Sequence, residues 1–139
     1  MSKYNLAFAE NIKYPHHKQG IDLGIILKNG EKRVSVEAKV DTGSTFCIFQ
    51  RQFAELLDLE SEKGDVELIR PATGKFIAYG HEVILQIANL EWETTVYFAQ
   101  DEYFPVNVLG RIGFLDRLQI GLIDYEQLLF IDSLENYYT

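Results

Sequence analysis

The chain has 139 residues, 47% of them hydrophobic and 24% charged, with a formal net charge of −8. That length fits one domain, residues 1–139, able to bury a core without disulfide or metal staples. The acidic balance argues against a general nucleic-acid binder, which needs Lys and Arg to displace phosphate counterions, and against an anionic membrane surface as a partner.

No apolar run approaches the ~20 residues that span a bilayer. Residues 1–5 lack the apolar stretch of a secretion signal. One cysteine, Cys47, allows no internal disulfide and agrees with a reducing compartment. A cytoplasmic protein is the expectation.

Residues 21–40 read as a β-hairpin. Val34, Val36, Ala38 and Val40 alternate with Arg33, Ser35, Glu37 and Lys39, the period of a half-buried strand. Asn29-Gly30 supplies a turn in which both central residues can take positive φ. Residues 45–49 form a short β-branched and aromatic strand. Residues 50–59 form a helix with Phe53, Leu56 and Leu57 at helical spacing, and 61–65 a polar loop. Strands follow at 66–69 and 76–87, joined through Pro71-Ala72-Thr73-Gly74-Lys75, with Gly80 marking a bend or a close backbone approach.

Trp92, Thr94, Val96 and Phe98 alternate in a further strand, Trp92 serving the core. Residues 101–105 are a loop, 106–109 an apolar strand, 111–117 one or two helical turns. Residues 118–123 and 128–131 form a last pair of strands. Tyr137-Tyr138 either frays or joins an intersubunit sheet, and the first ~15 residues either swap between subunits or fray. Many short strands with one or two short helices predict an all-β barrel or sandwich.

Asp41-Thr42-Gly43-Ser44 stands between the alternating strand and the next apolar run. Taken alone, these four residues read equally as an ordinary β-turn. Val40 before them and Phe46, Ile48 and Phe49 after them place the turn near the core, where a carboxylate needs hydrogen bonds. Ser44 and the amides around Gly43 can supply those bonds. His16, His17 and His81 form no HExxH pattern, and no metal or cofactor is expected. His16-His17 reads as an exposed loop. Cys47 has no visible Cys/His/Asn arrangement and reads as a small buried residue.

Val40-Asp41-Thr42-Gly43-Ser44 resembles the active-site loop of aspartic peptidases. Val108-Leu109-Gly110-Arg111 resembles the apolar-Gly-Arg stretch that passes behind that loop in the retropepsin-like family, the retroviral-type, single-lobe aspartic peptidases. Between them, Ala72-Thr73-Gly74-Lys75-Phe76 with Gly80 occupies the place of the family's flap hairpin, with Thr73, Gly74 and Lys75 at its centre. Residues 114–123 look like its short helix and final strands. The resemblance spans residues 21–132 and implies a single-lobe acid-protease barrel. It implies Asp41 as the catalytic carboxylate, with Thr42 locking two loops across a dimer. Gly43 would admit substrate or partner, and Ser44 would hydrogen-bond the outer oxygen of Asp41.

This sequence departs from the family at three places. Retroviral enzymes more often carry Ala where Ser44 stands. They place an acidic residue after the loop to pair with the arginine, whereas Thr45, Phe46, Cys47 and Ile48 follow here. Many retroviral flap tips hold several glycines, and this one holds Gly74.

Hydrolysis of this type uses two carboxylates and one water, one carboxylate taking a proton while the other donates to the carbonyl oxygen. Two carboxylates so close share a proton. None of Asp22, Asp58, Asp65, Asp101, Asp116, Asp124 and Asp132 precedes Thr/Ser-Gly, so each chain offers one motif. The expectation is a two-fold homodimer that cleaves polypeptides, with neither nucleic acid nor membrane as a partner. Phe46, Ile77, Tyr79 and Phe104 are expected to wall the substrate pockets.

Two other readings stand beside it. Asp41-Thr42-Gly43-Ser44-Thr45 also fits the Asp-x-Gly-x-Thr phosphate loop of actin and sugar-kinase type ATPases, although no second phosphate loop or adenosine site is present. The same lobe could also be a catalytically silent dimerisation or peptide-binding module.

Overall fold

The computed structural model describes residues 3–16 and 19–138, so His17 lies outside the described residues. Alternation builds the first hairpin. Strands β2 (Asp22–Asn29) and β3 (Lys32–Val40) pair antiparallel, with Leu23 opposite Ala38 and Ile25 opposite Val36, and all four side chains are buried. The turn falls one residue later than the Asn-Gly pattern predicts. Asn29 pairs with Lys32, which leaves Gly30 and Glu31 in the turn, and of these only Gly30 has positive φ, at 59°. Glycine in the first central position suits a mirror-image turn that follows the strand twist. The Asn29 side chain instead donates to the Leu57 carbonyl at 2.9 Å, tying the hairpin to the end of a helix.

That helix, α1 (Arg51–Leu56), is shorter than predicted. Ala54 and Leu57 are buried, whereas Leu56 is 58% exposed and belongs to the outer face. The chain leaves the helix where Asp58 takes a left-handed φ of 57°.

The remaining strands close a barrel. These are β4 (Ile48–Phe49), β5 (Asp65–Ile69), β6 (Phe76–Ile87), β7 (Leu90–Ala99) and β8 (Val108–Leu109). The sheet order is β2-β3-β8-β4-β7-β6-β5, and β6 also pairs with β2 through Ile84 and Gln86. Six strands therefore close on themselves, while β5 stands outside on the free part of the β6 edge. Closure removes the exposed edges that an open sheet would present. Phe49, Leu85, Phe98, Leu109 and Phe114 fill the interior. Gly80 marks a close approach, as its place in a strand predicts: a Cβ there would lie 2.8 Å from the Tyr97 ring. Trp92 packs against the core, its indole N–H donating to the Gly113 carbonyl at 2.9 Å.

Two stretches differ from the sequence reading around β8. Residues 106 and 107 stay outside the strand. Residues 111–117 form a single 3-10 turn, Leu115–Arg117, because Gly113 at φ 103° interrupts any helix before it.

A second, three-stranded sheet has the order β1-β10-β9, from β1 (Glu10–Lys13), β9 (Leu118–Ile123) and β10 (Leu128–Ser133), all antiparallel. The N-terminal segment thus pairs within its own chain, Ile12 facing Leu129. Tyr137 and Tyr138 belong to no strand of this chain. They lie in helix α2 (Leu134–Tyr138), where Asp132 Oδ1 accepts from the Ser133 N–H at 2.8 Å and from Asn136 Nδ2 at 2.7 Å.

Tyr14 fastens the N-terminal segment to the β9–β10 turn. Its buried hydroxyl donates to Asp124 Oδ1 at 2.5 Å, and its backbone N–H donates to the Gln127 carbonyl at 3.0 Å. Burial, then the hydrogen bond and charge of Asp124, push the phenol from 10.0 to about 12. The folded state therefore holds this proton more tightly than the unfolded chain. The resulting stability is fully present below pH 10 and is lost as pH rises toward about 12. Urea unfolding at stepped pH should show this loss in the wild type, and the corresponding part of the slope should vanish in Tyr14→Phe.

Candidate active site

Asp41 sits where β3 runs out. Its backbone N–H donates to the Leu109 carbonyl at 3.0 Å, continuing the parallel β3–β8 pairing by one residue. The chain then turns, with the Ser44 N–H donating to the Asp41 carbonyl at 3.1 Å. The Gly43 N–H donates to Asp41 Oδ1 at 2.9 Å and so sets the direction of the carboxylate. Asp41, Thr42 and Gly43 are all exposed in the single chain. The Ser44 hydroxyl does not bond the Asp41 carboxylate, contrary to what the family resemblance implies. Its hydroxyl donates to the Phe46 carbonyl at 2.8 Å, an acceptor two residues on that a short hydroxyl reaches more easily.

The strand behind the loop fixes it from below. Arg111 N–H donates to the Ser44 carbonyl at 2.9 Å and Ile112 N–H to the Thr45 carbonyl at 2.8 Å. Between these bonds two backbones touch at Gly110. A Cβ there would lie 2.2 Å from the Phe46 carbonyl oxygen and 2.7 Å from that of Ser44. Glycine is the residue this contact admits. The Arg111 side chain is exposed and makes no ion pair among the described residues.

Cys47 lies inside this junction, its sulfur accepting from the Gly110 N–H at 3.4 Å. Burial pushes the thiol up from 9.0 to about 11, against the lowering effect of that bond. A buried thiol held protonated in this way contrasts with the exposed, low-pKa thiols that serve as nucleophiles.

Above the loop stands the β5–β6 hairpin, with Ile69 opposite Phe76. Its tip turns through Gly74, whose N–H donates to the Pro71 carbonyl at 3.3 Å and whose φ is 148°. Loop and hairpin enclose a cleft of about 620 Å³, lined by Asp41, Gly43–Phe46, Ile48, Leu68–Ala72, Phe76, Phe104 and Val108. Phe76 and Phe104 pack at 4.9 Å between ring centroids and form one wall.

The sequence reading places some of these residues and misses others. Asp41, Gly43, Ser44 and Val108 reach the cleft together. Leu109, Gly110 and Arg111 carry the loop from behind, Thr42 stands exposed on the loop outside the lining, and Thr73, Gly74 and Lys75 cap the hairpin without lining the cleft. Phe46 and Phe104 wall it as expected, but Ile77 and Tyr79 do not. Strand alternation puts them on the face opposite Phe76, where the Tyr79 hydroxyl accepts from Gln100 Nε2 at 2.9 Å. Ala72 and Phe76 reach the cleft from the flap stretch, Phe76 as a wall. Leu68, Ile69, Arg70 and Pro71 are among the lining residues missed, and Arg70 emerges only once the hairpin is seen over Asp41.

No helix among the described residues is long and apolar enough to cross a membrane. No protein-family model and no curated protein matches the sequence. The folded chain is similar to the crystal structure of a retropepsin-like aspartic protease from Rickettsia conorii. The TM-score is 0.63 at 17% identity, over 89% of this chain and 99% of that one. It is also similar to EIAV protease complexed with the inhibitor HBY-793, at a TM-score of 0.51 and 18% identity, over 79% of this chain and 88% of that one. A closed barrel, a loop bearing Asp41, a hairpin above it and a glycine strand beneath it together give this chain the single-lobe, retropepsin-like fold.

Proposed function

We propose that the chain is an aspartic endopeptidase that works as a two-fold homodimer, each subunit contributing Asp41 to a shared pair of carboxylates. The supporting observation is the composition of the cleft. Asp41 is the one carboxylate among its lining residues, and it projects from an exposed loop. A second carboxylate for the same water has to come from another chain, and a two-fold axis through the loop supplies it.

In such a pair, one Asp41 takes a proton from the water as it attacks the peptide carbonyl. The other carboxyl donates its proton to the carbonyl oxygen, and the proton then passes to the leaving amine. The Gly43 N–H orients each carboxylate, and Thr42 locks the two loops together across the interface. The hairpin bearing Thr73, Gly74 and Lys75 acts as a flap over an extended peptide. Val108, Leu109, Gly110 and Arg111 carry the loop from behind. We place the enzyme in the cytoplasm, where a lone buried thiol stays reduced.

Mixing tests the shared site. Wild type and Asp41→Asn, exchanged to equilibrium in equal amounts, should retain about a quarter of the wild-type activity at the same total concentration, since only wild-type pairs are competent. A site complete in one chain would retain about half. Sedimentation should show the active species at twice the mass of the chain, and an active monomer would overturn the reading.

A further inference from the structure

We propose that Arg70 gives this cleft a preference for peptides that carry an acidic side chain close to a large apolar one. The inference rests on the peptidase reading for the identity of the cleft and adds to it a class of substrate. Arg70 is the one cation among the lining residues, and Asp41 is the one anion. Arg70 is exposed and makes no ion pair among the described residues. Several cations are paired, among them Lys28 with Glu91 and Arg51 with Glu55 and Glu62, whereas Arg111 on the far side of the loop is not, so it is the place in the cleft that sets Arg70 apart.

The setting of Arg70 sharpens this contrast. The chain carries 21 acidic and 13 basic residues, yet residues 68–81 include Arg70 and Lys75 and no carboxylate. The tip of the hairpin is thus a local excess of positive charge on an acidic protein, beyond Asp65 and Glu67 at the far end of β5 and Glu82 on β6. Pro71 disfavours helical backbone at the residue before it, so Arg70 is presented from extended chain. A guanidinium offers a fork of donors that matches a carboxylate, which an ammonium does not. The aromatic wall of Phe46, Phe76 and Phe104 takes the apolar side chain, and the guanidinium takes the carboxylate. In a two-fold dimer both halves of the cleft carry this pair, so an acid on either side of the cleaved bond is read.

The test separates recognition from turnover by using Asp41→Asn protein as the receptor. Peptides with a central Phe-Leu pair carry Glu, Gln or Lys at each of the four positions on either side, and binding is followed by fluorescence anisotropy. At one or more positions Glu should bind about tenfold more tightly than Lys, with Gln between them. The preference should shrink between about 20 and 300 mM salt. Arg70→Glu should invert the order, and Arg70→Lys should keep its sign at reduced size. Equal binding of Glu and Lys peptides, a preference untouched by Arg70→Glu, or no binding at all would overturn the inference. Cleavage of the same peptides by wild-type protein is read separately, so a peptidase indifferent to Arg70 is distinguished from a cleft that cleaves nothing.

Discussion

Replacing Asp41 by Asn is expected to lower kcat/KM on a peptide substrate by at least about a thousandfold. The substitution is chosen to leave everything else in place. Asn has the shape of Asp, and its side-chain oxygen can still accept from the Gly43 N–H that now reaches Oδ1 at 2.9 Å. What it loses is the ability to hold and release a proton. Because Asp41 is exposed in the single chain, the melting temperature should move by no more than about 2 °C. Steady-state kinetics beside a thermal melt measures both quantities on one preparation. Undiminished cleavage by the variant would remove Asp41 from the chemistry and with it the peptidase reading.

Gly110→Ala is expected to cost at least about 3 kcal/mol of folding stability. A methyl group there would meet the backbone of Phe46 and Ser44 rather than the tip of a side chain, so nothing can rotate away to admit it. The strands must separate, and the bonds from Arg111 to Ser44 and from Ile112 to Thr45 lengthen with them. The loop so displaced carries Asp41. Activity per folded molecule should therefore fall as well, which an ordinary core defect distant from the loop would not produce. Gly24→Ala is the control. It lies on β2 with nothing within 4 Å of the added carbon, and its stability should stay within about 0.5 kcal/mol of wild type. Urea titration of the two variants tests the claim, and equal stabilities would refute it.

The parts of this fold that sequence reveals are those dictated by local chemistry. Alternating Val34, Val36, Ala38 and Val40 specify a strand wherever it lies. The Asp-Thr-Gly turn and the apolar-Gly-Arg stretch are legible as a pair, although no residue spacing says that they touch. The Asn29-Gly30 turn slips by one because the Asn29 side chain has a tertiary partner, the Leu57 carbonyl, that outweighs its preference for a turn. Ser44 is misjudged for a similar reason, since two acceptors compete for one hydroxyl and geometry decides between them. Strand β1 is invisible from sequence, because a four-residue run with Ile12 as its one large apolar side chain gains its identity from β10. The cleft wall demands knowing which face of β6 turns inward, and one residue of parity exchanges Phe76 for Ile77.

That β1 can pair with β10 inside its own chain bears on the proposed assembly. Strand exchange is not needed to complete the second sheet, so a subunit can finish folding while solitary. On the proposed reading, a protease built from such halves would be latent when newly made and dilute. Hydrolysis would then begin as an encounter between finished molecules, and its onset should climb with roughly the square of their abundance until pairing saturates.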